Sequence, residues 1–228
     1  MTQALLLHGA LLSRQAMLPL LPHLPGEITW LVPDLAGHGD RRNQCLLPAT
    51  TMTPAFLAQD LLLRHPELHQ HGPWLLLGHS LGALVALELV RQGVTSQSLI
   101  LGDPPLWPCG DTGSQCEAQV ALGQTPLGIR LLEGCFAAFN GTINYANLLE
   151  EISAIASIKV LVGLRGRHQL DSGGWDCGTF ISETNRHWLH QWAMNARMAS
   201  IQQLSGAGHF VFHNQEGLNL LRQQLQPC

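Results

Sequence analysis

Short apolar runs alternate with longer amphipathic stretches from one end of the chain to the other, the pattern of βα units packed around a parallel sheet. Strands are predicted at 4–7, 28–32, 74–77, 98–101, 159–162 and 200–204. Each is short and lacks clean alternation, as expected of strands covered on both faces. Helices are predicted at about 13–24, 54–64, 81–92, 183–195 and 215–224. Thr53 offers an N-cap oxygen ahead of Pro54, which suits the first helical position, and Asn214 can cap the last helix in the same way. Between 104 and 157 the rhythm breaks. Pro104, Pro105, Pro108, Gly110 and Gly113 mark a loop, and helical patterns follow around 128–139 and 144–155. This stretch is too small to hold much core alone, so it reads as a cap inserted between two strands, at the sheet edge where ligands bind. The expectation is one α/β domain over 1–228: a three-layer sandwich of about six mainly parallel strands flanked by helices, with 104–157 as the cap.

Composition narrows the function classes. Only 12% of the 228 residues are charged, against about 25% in an average soluble protein, and the net charge is −4. The 12 basic residues include a single lysine, Lys159, so no basic stripe exists to neutralise phosphates and nucleic acid is not expected as a partner. A hydrophobic content of 46% argues against disorder. The longest apolar runs, such as 83–87, fall far short of the roughly 20 residues that span a bilayer. Met1-Thr2-Gln3 has no basic character and no small-residue cleavage site follows, so a secretory signal is not expected and a cytoplasmic location is. Cys45, Cys109, Cys116, Cys135, Cys177 and Cys228 are then expected as reduced thiols, and none stands at zinc-site spacing; Cys109 and Cys116, flanking a glycine-rich loop, are the pair to watch.

No Gly-x-Gly-x-x-Gly or P-loop occurs, so no nucleotide cofactor is implied. His65, His69 and His71 follow the helix at 54–64, but Pro66 intervenes and no carboxylate or cysteine completes a ligand set; a solvated turn is the better reading, and no metal is expected. Arg165, Arg167 and His168 read as a solvated loop.

The sharpest chemical signal is Gly78-His79-Ser80-Leu81-Gly82, directly after the strand at 74–77 and before the helix at 81–92. A Gly-x-Ser-x-Gly in that setting places a serine on a strained strand-to-helix turn. Glycines at both ends remove side chains that would meet neighbouring backbone. The turn lifts the hydroxyl above the sheet, and the helix N-terminus offers N–H groups to a developing oxyanion, with Leu81 supplying the first.

With these residues in place the chain resembles the α/β-hydrolase superfamily, as a compact, serine esterase-like member. Four pieces carry the resemblance, in the family's order: Leu7-His8-Gly9, Asp34-Leu35-Ala36-Gly37-His38-Gly39, the serine turn, and Gly206-Ala207-Gly208-His209-Phe210. The first predicted strand is the one that precedes His8-Gly9, so the family's usual first two strands are missing. The resemblance implies a Ser–His–acid triad with Ser80 as nucleophile. His209, following the last strand in a glycine-rich loop, is the candidate base. It also implies a second oxyanion N–H at Ala10, with Leu11 and Leu12 on the acyl side. His38 reads as structural. Trp107, Trp175 and Phe210 are candidates to line an apolar pocket.

The acid departs from the family pattern. Relatives place an aspartate three residues after a glycine at the end of the penultimate strand; here Val162-Gly163-Leu164-Arg165-Gly166 has glycine there. Asp103, after the strand at 98–101, and Asp171, further along the same loop, remain as alternatives, with Asp176 behind them. The expected activity is hydrolysis of a small-molecule carboxylic ester by a cofactor-independent monomer or small homo-oligomer. The same constellation admits a thioester substrate, lyase chemistry as in menaquinone-pathway relatives, or a non-catalytic ligand binder on the hydrolase scaffold.

Overall fold

The computed structural model describes residues 2–44, 52–107, 120–136, 144–169 and 175–225. Six strands form one parallel sheet: β1 (Gln3–Leu7), β2 (Thr29–Leu31), β3 (Trp74–His79), β4 (Ser96–Gly102), β5 (Ile158–Gly163) and β8 (Ala199–Leu204). Their order across the sheet is β2-β1-β3-β4-β5-β8. Each of the six predicted strands is present. The pleat sorts their apolar residues onto two faces. Leu5, Leu7, Leu76, Leu99, Leu101, Val160 and Val162 point into one core, whereas Ala4, Leu6, Leu75, Leu77, Ile100 and Leu161 point into the other.

Helices α2 (Pro54–Arg64), α4 (Leu81–Arg91), α6 (Ala146–Ser153) and α7 (Glu183–Asn195) contribute side chains to the first core. The short α1 (Arg14–Met17) and α8 (Gln215–Gln224) cover the second. Between them in the chain stand α3 (Glu67–Gln70) and α5 (Pro126–Gly134). The result is a three-layer α/β sandwich. The caps read from the sequence form: Thr53 Oγ1 accepts from the Phe56 N–H at 3.1 Å and Asn214 Oδ1 from the Glu216 N–H at 2.8 Å.

Two local features differ from expectation. The predicted helix over 13–24 is one α-helical turn followed by a 3₁₀ segment, Leu18–His23. Pro19 and Pro22 explain it, since proline lacks an N–H and crowds the preceding turn. The loop after β5 also contains a miniature antiparallel ladder, β6 (His168–Gln169) with β7 (Trp175–Asp176), pairing His168 with Asp176. Among the described residues no helix is long and apolar enough to cross a membrane.

The chain leaves β1 for β2 on one side and returns through β3 to β4 on the other. Strand order therefore reverses between β1 and β3, the crevice where open parallel sheets bind ligands at their carboxyl edge.

Candidate active site

Among the described residues, three that are not glycine take positive φ: Leu11 (57°), Ser80 (53°) and Asp103 (41°). They follow β1, β3 and β4, so the strained backbone clusters at the carboxyl edge near the switch point. Such conformations cost of order 1–3 kcal/mol each and persist where surrounding structure holds them. At Ser80 (φ 53°, ψ −118°) the hold is visible: its N–H donates to the Gly102 carbonyl at 2.8 Å and its own carbonyl accepts from Ala83 N–H at 2.9 Å. The flanking glycines are steric necessities. A Cβ on Gly78 would collide with the Gly82 carbonyl, and one on Gly82 would stand 2.6 Å from the Leu7 carbonyl oxygen.

His209 comes from the loop after β8 and is buried. Its Nδ1 lies 2.6 Å from Oδ2 of Asp103, at the end of β4. Asp103 is fully buried, and its charge is met by further donors: Thr179 Oγ1 donates to Oδ1 at 2.8 Å and the Phe180 N–H to Oδ2 at 2.8 Å. Of the candidate aspartates that are described, Asp103 is the one bonded to the imidazole. Asp171 lies outside the described residues. Asp176 is buried, but it bonds main-chain amides instead of the imidazole: His209 N–H at 2.7 Å and Gly178 N–H at 2.9 Å on Oδ1, and Phe210 N–H at 3.0 Å on Oδ2.

With Nδ1–H committed to Asp103, Nε2 is the basic nitrogen of His209. The ring stacks on Phe180, with centroids 3.7 Å apart and planes inclined by 20°. Its main-chain carbonyl accepts from His79 Nε2–H at 2.9 Å, which ties the serine turn directly to the histidine loop. Burial and the neighbouring His209 hold His79 well below the usual imidazole range, so it stays neutral.

His8 braces the loop after β1. Its Nε2 accepts from the Leu35 N–H at 3.1 Å, which leaves Nδ1–H to donate to the Gly9 carbonyl at 2.8 Å. Burial, with help from nearby His38, lowers its pKa to about 4. Beyond it, the Leu12 N–H closes a turn onto the Gly9 carbonyl at 3.3 Å, exposing Ala10 and Leu11 to the site. His38 is buried and hydrogen-bonded through Nδ1 to the Ala36 carbonyl at 2.9 Å, away from Ser80's cavity wall.

Ser80, His209, Ala10, Leu11 and Phe210 all line one cavity of about 770 Å³. Leu81 begins α4 beside it, so its N–H has no partner within the helix. The remaining wall is mainly apolar, including Leu12, Val120, Leu122, Phe136 and Phe180, with His79, Arg167 and Cys177 as its polar members. Trp107 is not part of that wall; it packs edge-to-face on Trp188, with centroids 5.3 Å apart, at the border of the core. The sequence singles out neither Phe180 nor Thr179, and it offers Asp176 only as a further alternative for the triad acid. Cys135 is a free thiol, and Cys45, Cys109, Cys116 and Cys228 lie outside the described residues. Among the described residues no group of three or more His, Cys, Asp or Glu is placed to hold a metal ion.

Comparison with solved structures returns the same architecture. A hydrolase from Oleispira antarctica matches over 100% of this chain and 92% of its own, with a TM-score of 0.71 and 16% identity. A thermophilic esterase from Thermogutta terrifontis matches over 99% and 89%, with a TM-score of 0.70 and 17% identity. MenH from S. aureus matches over 99% and 95%, with a TM-score of 0.68 and 13% identity. No curated protein sequence matches the chain. The family model described as "Alpha/beta hydrolase family" matches residues 4–219, and the chain belongs to that family.

Proposed function

We propose that the protein is a serine hydrolase that cleaves a carboxylic ester through an acyl-enzyme on Ser80. The observation that carries this is the 2.6 Å bond from His209 to Asp103, with His209 and Ser80 lining one cavity. A serine hydroxyl is a poor nucleophile at neutral pH and needs a base held in the right tautomer. Asp103 in that role, in place of an acid at position 166, supports the catalytic reading over a purely binding one.

His209 Nε2 takes the hydroxyl proton as Ser80 Oγ attacks the carbonyl carbon. The Ala10 and Leu81 N–H groups receive the oxyanion. Collapse of the tetrahedral intermediate breaks the ester C–O bond, and the alcohol leaves with the proton from His209. Water, deprotonated by the same imidazole, then releases the acid and restores Ser80. The apolar wall favours an apolar acyl group, and about 770 Å³ is within the usual range for small-molecule sites. Val120, Leu122 and Phe136 belong to that wall, which supports reading 104–157 as a cap over the site. Esterases among the structural neighbours agree with this reading, as does a thioesterase domain from the curacin pathway with a TM-score of 0.59.

A fluorophosphonate probe tests the mechanism: it should label the protein at Ser80 and leave Ser80→Ala unlabelled. A panel of oxygen esters and thioesters of rising acyl length then identifies the leaving group and chain length. Labelling that survives Ser80→Ala, or no labelling and no turnover across the panel, would refute the proposal.

A further inference from the structure

His209 is gripped at several atoms at once. Asp103 holds its ring at Nδ1, Phe180 covers a ring face, and His79 holds its carbonyl. The fourth grip is Asp176 on its main-chain N–H, at 2.7 Å. We propose that Asp176 is a positioning residue of the active site, a second buried carboxylate that sets the backbone of the His209 loop while Asp103 sets the imidazole. This rests on the reading of His209 as the general base.

The arrangement is specific to that task. Asp176 is only 1% exposed, and a buried carboxylate is tolerated only when its charge is met by donors. Its donors are three main-chain N–H groups, two of them from consecutive residues, His209 and Phe210. The third, Gly178, turns the chain that carries Thr179 and Phe180 onto Asp103. One side chain thus joins the loop holding the base to the segment holding the acid. The carboxylate reaches the loop because Gly208 has no side chain: a Cβ there would stand 2.6 Å from Oδ1 and 2.7 Å from Cγ of Asp176. The β6–β7 ladder anchors Asp176 itself, through its pairing with His168.

The Asp103 bond fixes where Nδ1 points, but not where the Cα of His209 sits. Moving that Cα carries Nε2 away from the Ser80 hydroxyl, and a displacement of about 1 Å can cost about 100-fold in rate. In Asp176→Asn the side chain keeps its shape, but one N–H must face a main-chain N–H, so at least one grip on the loop is lost.

The test compares wild type with Asp176→Asn for hydrolysis of p-nitrophenyl butyrate, and for the downfield proton resonance of His209 Nδ1–H, with circular dichroism to establish folding. The expected result is a kcat lower by about 10- to 100-fold with KM unchanged. The Nδ1 proton should broaden or move upfield as the short bond to Asp103 is loosened. Gly208→Ala should reproduce both effects while keeping the carboxylate charge, and it decides the matter if Asp176→Asn does not fold. A folded variant with wild-type kcat and resonance overturns the proposal. So does a loss of thermal stability alone, or a fall in kcat with the resonance untouched. If wild type neither turns over esters nor takes the fluorophosphonate label, the hydrolase reading fails, while the resonance comparison still decides whether Asp176 positions His209.

Discussion

Nδ1 of His209 and Oδ2 of Asp103 stand 2.6 Å apart although 106 residues separate them in sequence. The contact exists because β4 and β8 end at the same edge of the sheet with only β5 between them. An acid at the end of β4 reaches the imidazole as well as one at the end of β5 would, and the triad requires only that the carboxylate orient the ring and stabilise its cation.

Asp103→Asn should therefore lower kcat by about 10⁴-fold with the fold retained, because the amide leaves the imidazole in the wrong tautomer. Asp171→Asn should leave turnover unchanged. Steady-state kinetics on one ester decide between them; a silent Asp103→Asn would remove this acid from the mechanism.

Phe180 touches both partners, donating its N–H to Asp103 and laying its ring on His209. In the proposed mechanism an aromatic face would support the imidazolium that forms as Ser80 attacks. Phe180→Leu keeps the amide and most of the apolar volume but removes the π face. The expected loss in kcat is about 2- to 10-fold, matching the strength of such contacts. Turnover at saturating substrate measures it, and an undiminished kcat would reduce Phe180 to a piece of pocket wall.

Much of this was legible in the sequence, for identifiable reasons. The six sheet strands could be read because short apolar runs bounded by turns survive burial on both faces. Pro54 and Asn214 mark helix starts through local chemistry alone, whereas the helix expected over 13–24 is broken into an α-helical turn and a 3₁₀ segment because Pro19 and Pro22 override its apolar spacing. Gly78-His79-Ser80-Leu81-Gly82 is legible because both glycines are forced, Gly78 by the Gly82 carbonyl and Gly82 by the backbone at the end of β1. The role of Asp176 could not be read, since two of its three partners are main-chain amides of a loop more than 30 residues away and β7 is too short to show any period. Trp107 was misplaced for a related reason: an aromatic in a loop looks the same from sequence whether it faces a cavity or Trp188.

Gly82 lets α4 start against the end of β1, where a Cβ would come within 2.6 Å of the Leu7 carbonyl oxygen and 2.7 Å of that of His8. Both obstacles are backbone and cannot rotate away. Gly82→Ala should cost about 1–3 kcal/mol, or about 2–4 °C in Tm for each kcal/mol. It should also lower kcat in the surviving folded protein, because pushing α4 from β1 separates the Leu81 N–H from that of Ala10. A thermal melt beside a kcat measurement checks both halves, and a fully active, fully stable alanine variant would contradict the packing.

Acid sensitivity follows from His8. Burial lowers its pKa from 6.5 to about 4 in the folded protein, so the unfolded chain binds a proton that the folded one refuses throughout that interval. Stability contributed by neutral His8 is complete above pH 6.5 and is lost as the pH falls through the folded value. Over the whole interval the loss is about 3 kcal/mol. Burial shifts His38, His79 and His213 in the same direction, so total acid sensitivity exceeds the share of one residue. His8→Asn isolates that share. At pH 7 the variant should be less stable than wild type in urea, having lost a side chain that ties Leu35 to Gly9. As the pH falls toward 4 the gap should narrow, because wild type is losing what the variant already lacks. Urea midpoints for both proteins at several pH values measure it, and a gap that stays constant would mean that His8 takes up its proton without cost to the fold.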